Sequence, residues 1–125
     1  MKACIVRAVY DKTNGHCHFC GDRVVLGHHG KTKGHPLRGA WEMDHITQAA
    51  KGGANDPGNY LPACWKCNRL RWHRKGRDLR RLIVLGLVAN DEIKTGTELG
   101  RAIHAKSQQR KAKNRLRQVA GGRGC

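Results

Sequence analysis

The chain has 125 residues and a formal net charge of +16, because 25 Lys and Arg residues outnumber nine Asp and Glu residues. Such a charge attracts polyanions and disfavours a neutral or acidic partner, so nucleic acid is the leading candidate. A solvated surface or a ribosomal-type scaffold would explain the basic charge equally well. One Phe, two Tyr and three Trp leave a thin apolar core for a single domain of this length, and so small a core usually needs a staple.

Four of the six cysteines form two Cys-x-x-Cys pairs, and these are Cys17, Cys20, Cys64 and Cys67. The spacing lets two thiolates of each pair reach one ion, and four thiolates close a tetrahedral coordination sphere. We therefore predict a structural zinc ion bound by these four cysteines, with His16 or His18 as the first substitutes. A zinc ribbon that only binds nucleic acid has the same pattern.

The cysteine pattern also predicts the compartment. Six cysteines allow three disulfides in a secreted protein, but paired cysteines with no preceding signal peptide favour a reducing interior. The longest apolar run, Leu82 to Ala89, is too short to cross a bilayer, so no membrane association is expected. The predicted location is intracellular, including a phage-encoded protein in a bacterial host.

The first 75 residues predict an α+β domain. The β-branched-rich segment from Ala3 to Tyr10 predicts a strand. The segment from Gly27 to Gly39 contains Gly, His, Lys and Pro, which predicts a mobile basic loop. Two strands, from Trp41 to Ile46 and from Tyr60 to Ala63, are expected to flank a glycine-rich loop, and a helix from Trp65 to Lys75 follows.

A further helix is predicted after Asp78, because apolar residues recur on one face at helical spacing. That face is expected to pack on the zinc module, with Gly86 allowing close approach. Asn90 to Gly96 predicts a break, and Thr97 a cap for a last helix. We therefore divide the chain into a domain over residues 1–96 and a basic C-terminal helix or tail over residues 97–125. No strong stripe for dimerisation is evident, which predicts a monomer in solution.

No acidic residue follows Glu98, whereas basic residues are frequent there. We expect this tail to be disordered alone and helical on DNA, where it binds backbone phosphate without reading bases. Its predicted DNA-binding residues are Arg101, Lys106, Arg110, Lys111, Lys113, Arg115 and Arg117.

The chemistry is predicted to centre on Asp44 and His45. Hydrolysis of a phosphodiester needs a base for the attacking water and a cation for the phosphate charge. Neighbouring side chains on a strand point to opposite faces, which separates a metal ligand from a base. Asn59 can hold the imidazole in one tautomer. Asn68 directly follows Cys67, so the zinc would place its amide oxygen to complete the ligands of the second ion.

Together these residues resemble the HNH, or ββα-metal (His-Me finger), endonucleases, and most closely the zinc-containing, phage-type members with two Cys-x-x-Cys pairs. The resemblance covers Cys17 to about Lys75. It implies that His45 is the general base, that Asn59 supports it, and that Asp44 and Asn68 bind the catalytic metal. Many members have histidine where this chain has Asn68, and an amide oxygen favours Mg²⁺ or Mn²⁺.

Two alternatives remain at this point. His73 competes with Asn68 for the last position of the motif, but five residues place the two about 140° apart around a helix. The whole chain would otherwise be a zinc-finger nucleic-acid-binding protein without catalysis. The preferred reading is a metal-dependent DNA endonuclease that nicks one strand per site; analogy adds phage packaging or recombination proteins as partners.

Overall fold

A computed structural model describes residues 2–47, 51–72 and 76–113. In these ranges the chain forms four α-helices and one two-stranded antiparallel sheet, which confirms the predicted α+β class. The elements follow in the order α1 (Ala3–Asp11), β1 (Trp41–His45), β2 (Tyr60–Cys64), α2 (Trp65–Trp72), α3 (Gly76–Thr95) and α4 (Glu98–Lys113). None of these helices is long and apolar enough to cross a membrane.

The hairpin of β1 and β2 is the centre of the fold. Trp41 pairs with Cys64 at one end and His45 with Tyr60 at the other. Every residue of β2 is buried, and Trp41 is completely inaccessible to solvent. With two strands, both are edges, so the missing N–H of Pro62 costs little. The Pro62 carbonyl oxygen accepts a 2.8 Å hydrogen bond from the backbone N–H of His18, which ties the first cysteine pair to the sheet.

The N-terminal segment is a helix, so the predicted strand from Ala3 to Tyr10 is wrong. Its apolar residues Ile5, Val6, Val9 and Tyr10 recur at helical spacing and all pack into the core around Trp41. A strand would have pointed Ile5 and Val6 to opposite faces, leaving one of the two in solvent. Helical periodicity therefore outweighs the β-branched composition.

The loop from Gly27 to Gly39 is held by hydrogen bonds, contrary to the expected mobile loop. Arg69 of α2 donates from Nη2 to the carbonyl oxygens of Thr32 (3.1 Å) and Gly34 (3.0 Å). The Thr32 hydroxyl donates to Glu42 at 2.9 Å. The guanidinium of Arg69 thus donates to carbonyl groups that have no hydrogen-bond partner in a regular helix or strand.

The last two helices form a hairpin. The Thr97 hydroxyl accepts a 3.0 Å bond from the N–H of Gly100, as predicted for a helix cap. The break predicted from Asn90 to Gly96 is much shorter, because α3 continues to Thr95 and ends at Gly96 with φ +71°. At Gly100, an added Cβ would lie 2.0 Å from the carbonyl oxygen of Glu92. Gly100, not Gly86, is therefore the residue that permits close approach.

The predicted packing of α3 on the zinc module is wrong. Leu79, Ile83 and Leu87 are 42%, 54% and 57% exposed, respectively, and a Cβ added at Gly86 would meet open space. The helix packs instead against α4, through the face that carries Ile93. The folded chain therefore exposes an apolar face on α3 that the sequence analysis expected to be buried, and the monomer stays a prediction.

Candidate active site and metal centre

The four paired cysteines meet at one point between the first loop, β2 and α2. Their four Sγ atoms all lie within 4.8 Å of one another, and the Sγ atoms of Cys20 and Cys64 are 3.8 Å apart. Tetrahedral zinc with Zn–S bonds of about 2.3 Å needs sulfur atoms about 3.8 Å apart. The cluster therefore fits the structural zinc site predicted from the spacing.

The backbone around the first pair supports negative sulfur atoms. The N–H of Phe19 donates to the Sγ of Cys17, and the N–H of Asp22 donates to the Sγ of Cys20, each at 3.4 Å. Gly21 turns the chain under the site with φ +78°, a conformation that other residues rarely adopt. Such N–H donors stabilise thiolates, which are the zinc-binding form of cysteine.

Four thiols this close cannot all ionise without a cation. Hydrogen bonds with Cys20, Cys64 and Cys67 lower the pKa of Cys17. Interactions with Cys17, Cys20 and Cys64 raise the pKa of Cys67. The first thiolate thus forms readily, and each later one is opposed by the charge already present. A divalent cation removes that opposition, which is the electrostatic reason for expecting metal here.

Neither substitute histidine lies in this cluster. His16 Nδ1 is 3.1 Å from the carbonyl oxygen of Thr13, and His18 Nε2 is 2.9 Å from Asp44 Oδ2. The four-cysteine set is the group of potential metal ligands that the described residues bring together.

His45 occupies the end of β1 with its ring partly exposed. Its Nε2 is 2.8 Å from Oδ1 of Asn55, and its ring meets that of Tyr60 edge-on at a centroid distance of 4.9 Å. Since the amide oxygen accepts, Nε2 carries the proton and the lone pair remains on Nδ1. The ring is thus held in one orientation and one tautomer.

Asn59 does not perform the predicted contact. Its amide donates to the carbonyl oxygens of Thr47 (2.9 Å) and Ala54 (2.8 Å), and its Oδ1 accepts from the N–H of Thr47 at 2.9 Å. The expected hydrogen bond from Asn59 to the imidazole of His45 is therefore wrong, and Asn55 makes it instead. The hydrogen bonds of Asn59 connect the two ends of the loop between β1 and β2. Asn59 therefore affects the positions of Asn55 and His45 only through the loop backbone.

Asp44 points to the opposite side of β1 from His45, and it is 1% exposed. Its Oδ2 accepts hydrogen bonds from His18 Nε2 and from Arg71 Nη1 of α2. Its Oδ1 is buried with no hydrogen-bond partner among the described residues. A buried carboxylate with one unused oxygen is what a hard cation would require of its protein ligand.

Asn68 is the second predicted ligand of this cation. It is partly buried in the first turn of α2, one residue after Cys67, and the described part of the chain offers its amide no hydrogen-bond partner. Arg71, which contacts Asp44 of β1, follows Asn68 by three residues, so the two occupy neighbouring positions on one side of the helix. Mg²⁺ usually takes one or two protein ligands and keeps several waters. The oxygen atoms of Asp44 and Asn68 are of the type that such an ion binds, and their joint ligation of it stays a prediction; His73 lies outside the described residues.

His18 and Arg71 contact Asp44, a role that the sequence analysis assigned to neither residue. Each lies beside an identified residue: His18 follows Cys17, and Arg71 lies one helical turn after Asn68. Arg71 also lies over the rings of Phe19 (5.8 Å) and Trp72 (5.1 Å), which fixes its guanidinium. The sequence signal for Arg71 was its i, i+3 spacing from Asn68. That spacing does not show that Asp44 is the residue that Arg71 contacts.

The predicted DNA-binding residues fall into four groups. Arg101, Lys106 and Lys111 are exposed on α4, and Arg101 donates to the carbonyl oxygen of Gly96 at 2.6 Å. Arg110 instead contacts Asp22 Oδ1 and the carbonyl oxygen of Cys20, both at 3.0 Å. Lys113 is the last residue of α4. Arg115 and Arg117 lie outside the described residues.

The contact of Arg110 joins α4 to the segment around the first cysteine pair, Cys17 and Cys20. The charge and hydrogen bond of Asp22 raise the pKa of Arg110, so the guanidinium stays cationic. Residues 98–113 are helical without nucleic acid, so the expectation of a segment disordered alone is wrong for this part of the tail.

The family comparison agrees with this geometry. The HNH endonuclease model matches residues 17–74, a segment that contains the hairpin, α2, the four cluster cysteines and the pair Asp44–His45. Comparisons with curated proteins and with solved structures returned no match. The match supports a nuclease-type function and nucleic-acid binding at the level of the family. Residues 17–74 thus match the HNH endonuclease family, and the cysteine cluster fits the zinc-containing members of that family.

Proposed function

We propose that the protein is a metal-dependent DNA endonuclease in which His45 is the general base and Asp44 with Asn68 binds Mg²⁺ or Mn²⁺. The observation that carries this proposal is the arrangement at the end of β1. There, the buried carboxylate of Asp44 has one oxygen without a hydrogen-bond partner among the described residues, and the imidazole of His45 is held in one orientation. The two side chains extend to opposite sides of β1. A protein that only binds nucleic acid has no need for this arrangement.

The base acts through Nδ1. Nε2–H donates a hydrogen bond to Asn55 Oδ1, so the Nδ1 lone pair can take a proton from the attacking water. An unprotonated imidazole is a common general base and can accept this proton. The water oxygen forms a bond to phosphorus as the bond to the leaving ester oxygen breaks. A bound Mg²⁺ or Mn²⁺ would neutralise charge on the phosphate and the departing oxygen.

One base and one metal site per chain break one phosphodiester bond per encounter. We therefore propose that each site nicks one DNA strand. The basic residues 97–125 act as an electrostatic arm for the nuclease domain in residues 1–96, and that division is part of the proposal. An intracellular setting, with phage packaging or recombination proteins as partners, also remains a proposal.

Supercoiled plasmid provides the test. Zinc-loaded protein with Mg²⁺ or Mn²⁺ should convert it to the open-circular form, and His45→Ala should slow this conversion by about 10²–10⁴-fold, the usual contribution of a positioned base. The variant should keep its melting temperature, its zinc and its affinity for DNA. His35→Ala, in an exposed loop position, is the matched control and should cleave normally.

The same assay tests the alternative function. A wild-type protein that binds plasmid but leaves it intact with every divalent metal would support a non-catalytic zinc-finger protein. Normal cleavage by His45→Ala would remove the proposed base and leave the family assignment standing.

A further inference from the structure

One face of α3 is apolar and uncovered by the described part of the chain. Its side chains are between 42% and 57% exposed, and they are Leu79, Ile83, Val84, Leu87 and Val88. At about 100° per residue, all five fall within one half of the helix circumference. We call this surface the α3 stripe. A contiguous apolar surface of this kind usually marks an interaction site.

The helix hairpin leaves the α3 stripe accessible. Leu82, Ala89 and Ile93 are partly buried and lie on the other side of the helix. Gly100 of α4 contacts the backbone at Glu92. Since α4 covers the side opposite to the stripe, the packing of the hairpin cannot explain why the stripe is apolar.

Two exposed charges lie on the same face and flank its four central apolar residues, which are Ile83, Val84, Leu87 and Val88. Arg80 precedes Ile83 by three residues, and Asp91 follows Val88 by three residues. The two charges are therefore opposite in sign and placed symmetrically about the middle of the stripe. Their angular positions on the helix differ by only about 20°.

We propose that the α3 stripe is a self-association surface, on which α3 of a second copy packs antiparallel around a two-fold axis. In that register Ile83 faces Val88 of the second copy, and Val84 faces Leu87. Arg80 then faces Asp91 of the second copy at both ends of the interface, as a two-fold axis requires. A parallel arrangement would bring each charge against its own kind.

The overall charge also favours a second copy on this helix. The chain carries +16, which opposes self-association through most of its surface. On α3, four basic residues are nearly balanced by three acidic ones. The stripe is thus the part of the described surface where apolar exposure and local neutrality coincide. In this register the pair of Arg80 and Asp91 is complementary to itself and favours a second copy over an unrelated protein, whereas Arg77 faces Lys94 and limits the strength of the association.

The interface is small. A helix of 20 residues is about 30 Å long. A single pair of such helices buries less than the roughly 1,600 Å² of a standard stable interface. We therefore expect reversible association with a dissociation constant on the order of micromolar, and this replaces the expected monomer. If the proposed function holds, a dimer carries two nicking sites, which allows both strands to be cut in one complex.

Sedimentation equilibrium of the full, zinc-loaded chain tests the proposal without DNA or catalytic metal. The apparent mass should rise with concentration from 13.9 kDa towards twice that value. Arg80→Glu places two like charges at each end and should weaken association by about tenfold, as should Asp91→Arg. The double variant restores opposite charges and should recover nearly wild-type association. Lys31→Glu, a charge reversal in an exposed loop, is the control for net charge.

Three results would overturn the proposal. The first is a wild-type mass of 13.9 kDa at every concentration. The second is a double variant that associates no better than Arg80→Glu, which would refute the antiparallel register. The third is undiminished association of Ile83→Gln, since that variant puts a polar amide into the middle of the stripe. None of these measurements involves cleavage. A refutation of the self-association is therefore distinct from a refutation of the proposed nuclease activity.

Discussion

Replacing Arg71 by methionine tests the buried network around Asp44. The carboxylate is fully buried, and the Arg71 side chain is 19% exposed. Breaking a buried ion pair typically destabilises a protein by about 3–5 kcal/mol, because the remaining charge has no compensation. Here His18 still donates to Oδ2 at 2.9 Å, which reduces the loss. We therefore expect Arg71→Met to lower the free energy of unfolding by about 2–3 kcal/mol.

The assay is thermal unfolding of the zinc-loaded protein followed by circular dichroism. For a chain of this size, about 1 kcal/mol corresponds to roughly 4 °C, so Tm should fall by about 8–12 °C. Arg69→Met is the matched control on the same helix, because Arg69 donates to loop carbonyl groups and not to a buried charge. In the Arg69→Met control, the free energy of unfolding should fall by about 1 kcal/mol or less.

A second variant separates lost charge compensation from lost packing. In Asp44→Asn/Arg71→Met no buried charge remains, so the double variant should be more stable than Arg71→Met alone. The reasoning is refuted if Arg71→Met has the same Tm as the Arg69→Met control. It is also refuted if the double variant has no higher Tm than Arg71→Met, because Asp44 would then not depend on Arg71 for charge compensation.

Three further predictions concern the zinc, the loop and the tail. Cys64→Ser or a chelator should unfold the domain, because bound zinc supplies about 10–16 kcal/mol of folding free energy; native melting with one zinc per chain would contradict this ligand set. Asn55→Ala should slow cleavage by His45 without changing Tm, whereas Asn59→Ala should lower Tm, and the reverse pattern would return the orienting role to Asn59. Removing the residues after Lys113 deletes three arginines and should flatten the slope of log affinity against log salt by about 2–3 units; an unchanged slope would exclude residues 114–125 from the electrostatic arm.

Short-range patterns in the sequence were sufficient to predict the cluster of four cysteines and the order strand, loop, strand, helix. Cys-x-x-Cys spacing is a local property, since two thiolates three residues apart reach one ion in almost any knuckle. The opposite orientation of Asp44 and His45 follows from the alternation of side chains along a strand. Thr97 was identified as a cap from its position before the last helix. Each of these inferences depends on neighbours within a few residues.

Only the tertiary structure decided how the site is completed. His18 and Arg71 reach Asp44 from 26 and 27 residues away, and Asn55 rather than Asn59 reaches His45 across the loop. Pairing across such distances depends on the path of the backbone, which local periodicity does not encode. Burial is decided in the same way: the apolar face of α3 was recognisable in the sequence, but the choice of α4 as its neighbour left the stripe exposed. A periodic pattern shows that a face needs a partner, and the packing of the whole chain determines whether that partner is present in the same molecule.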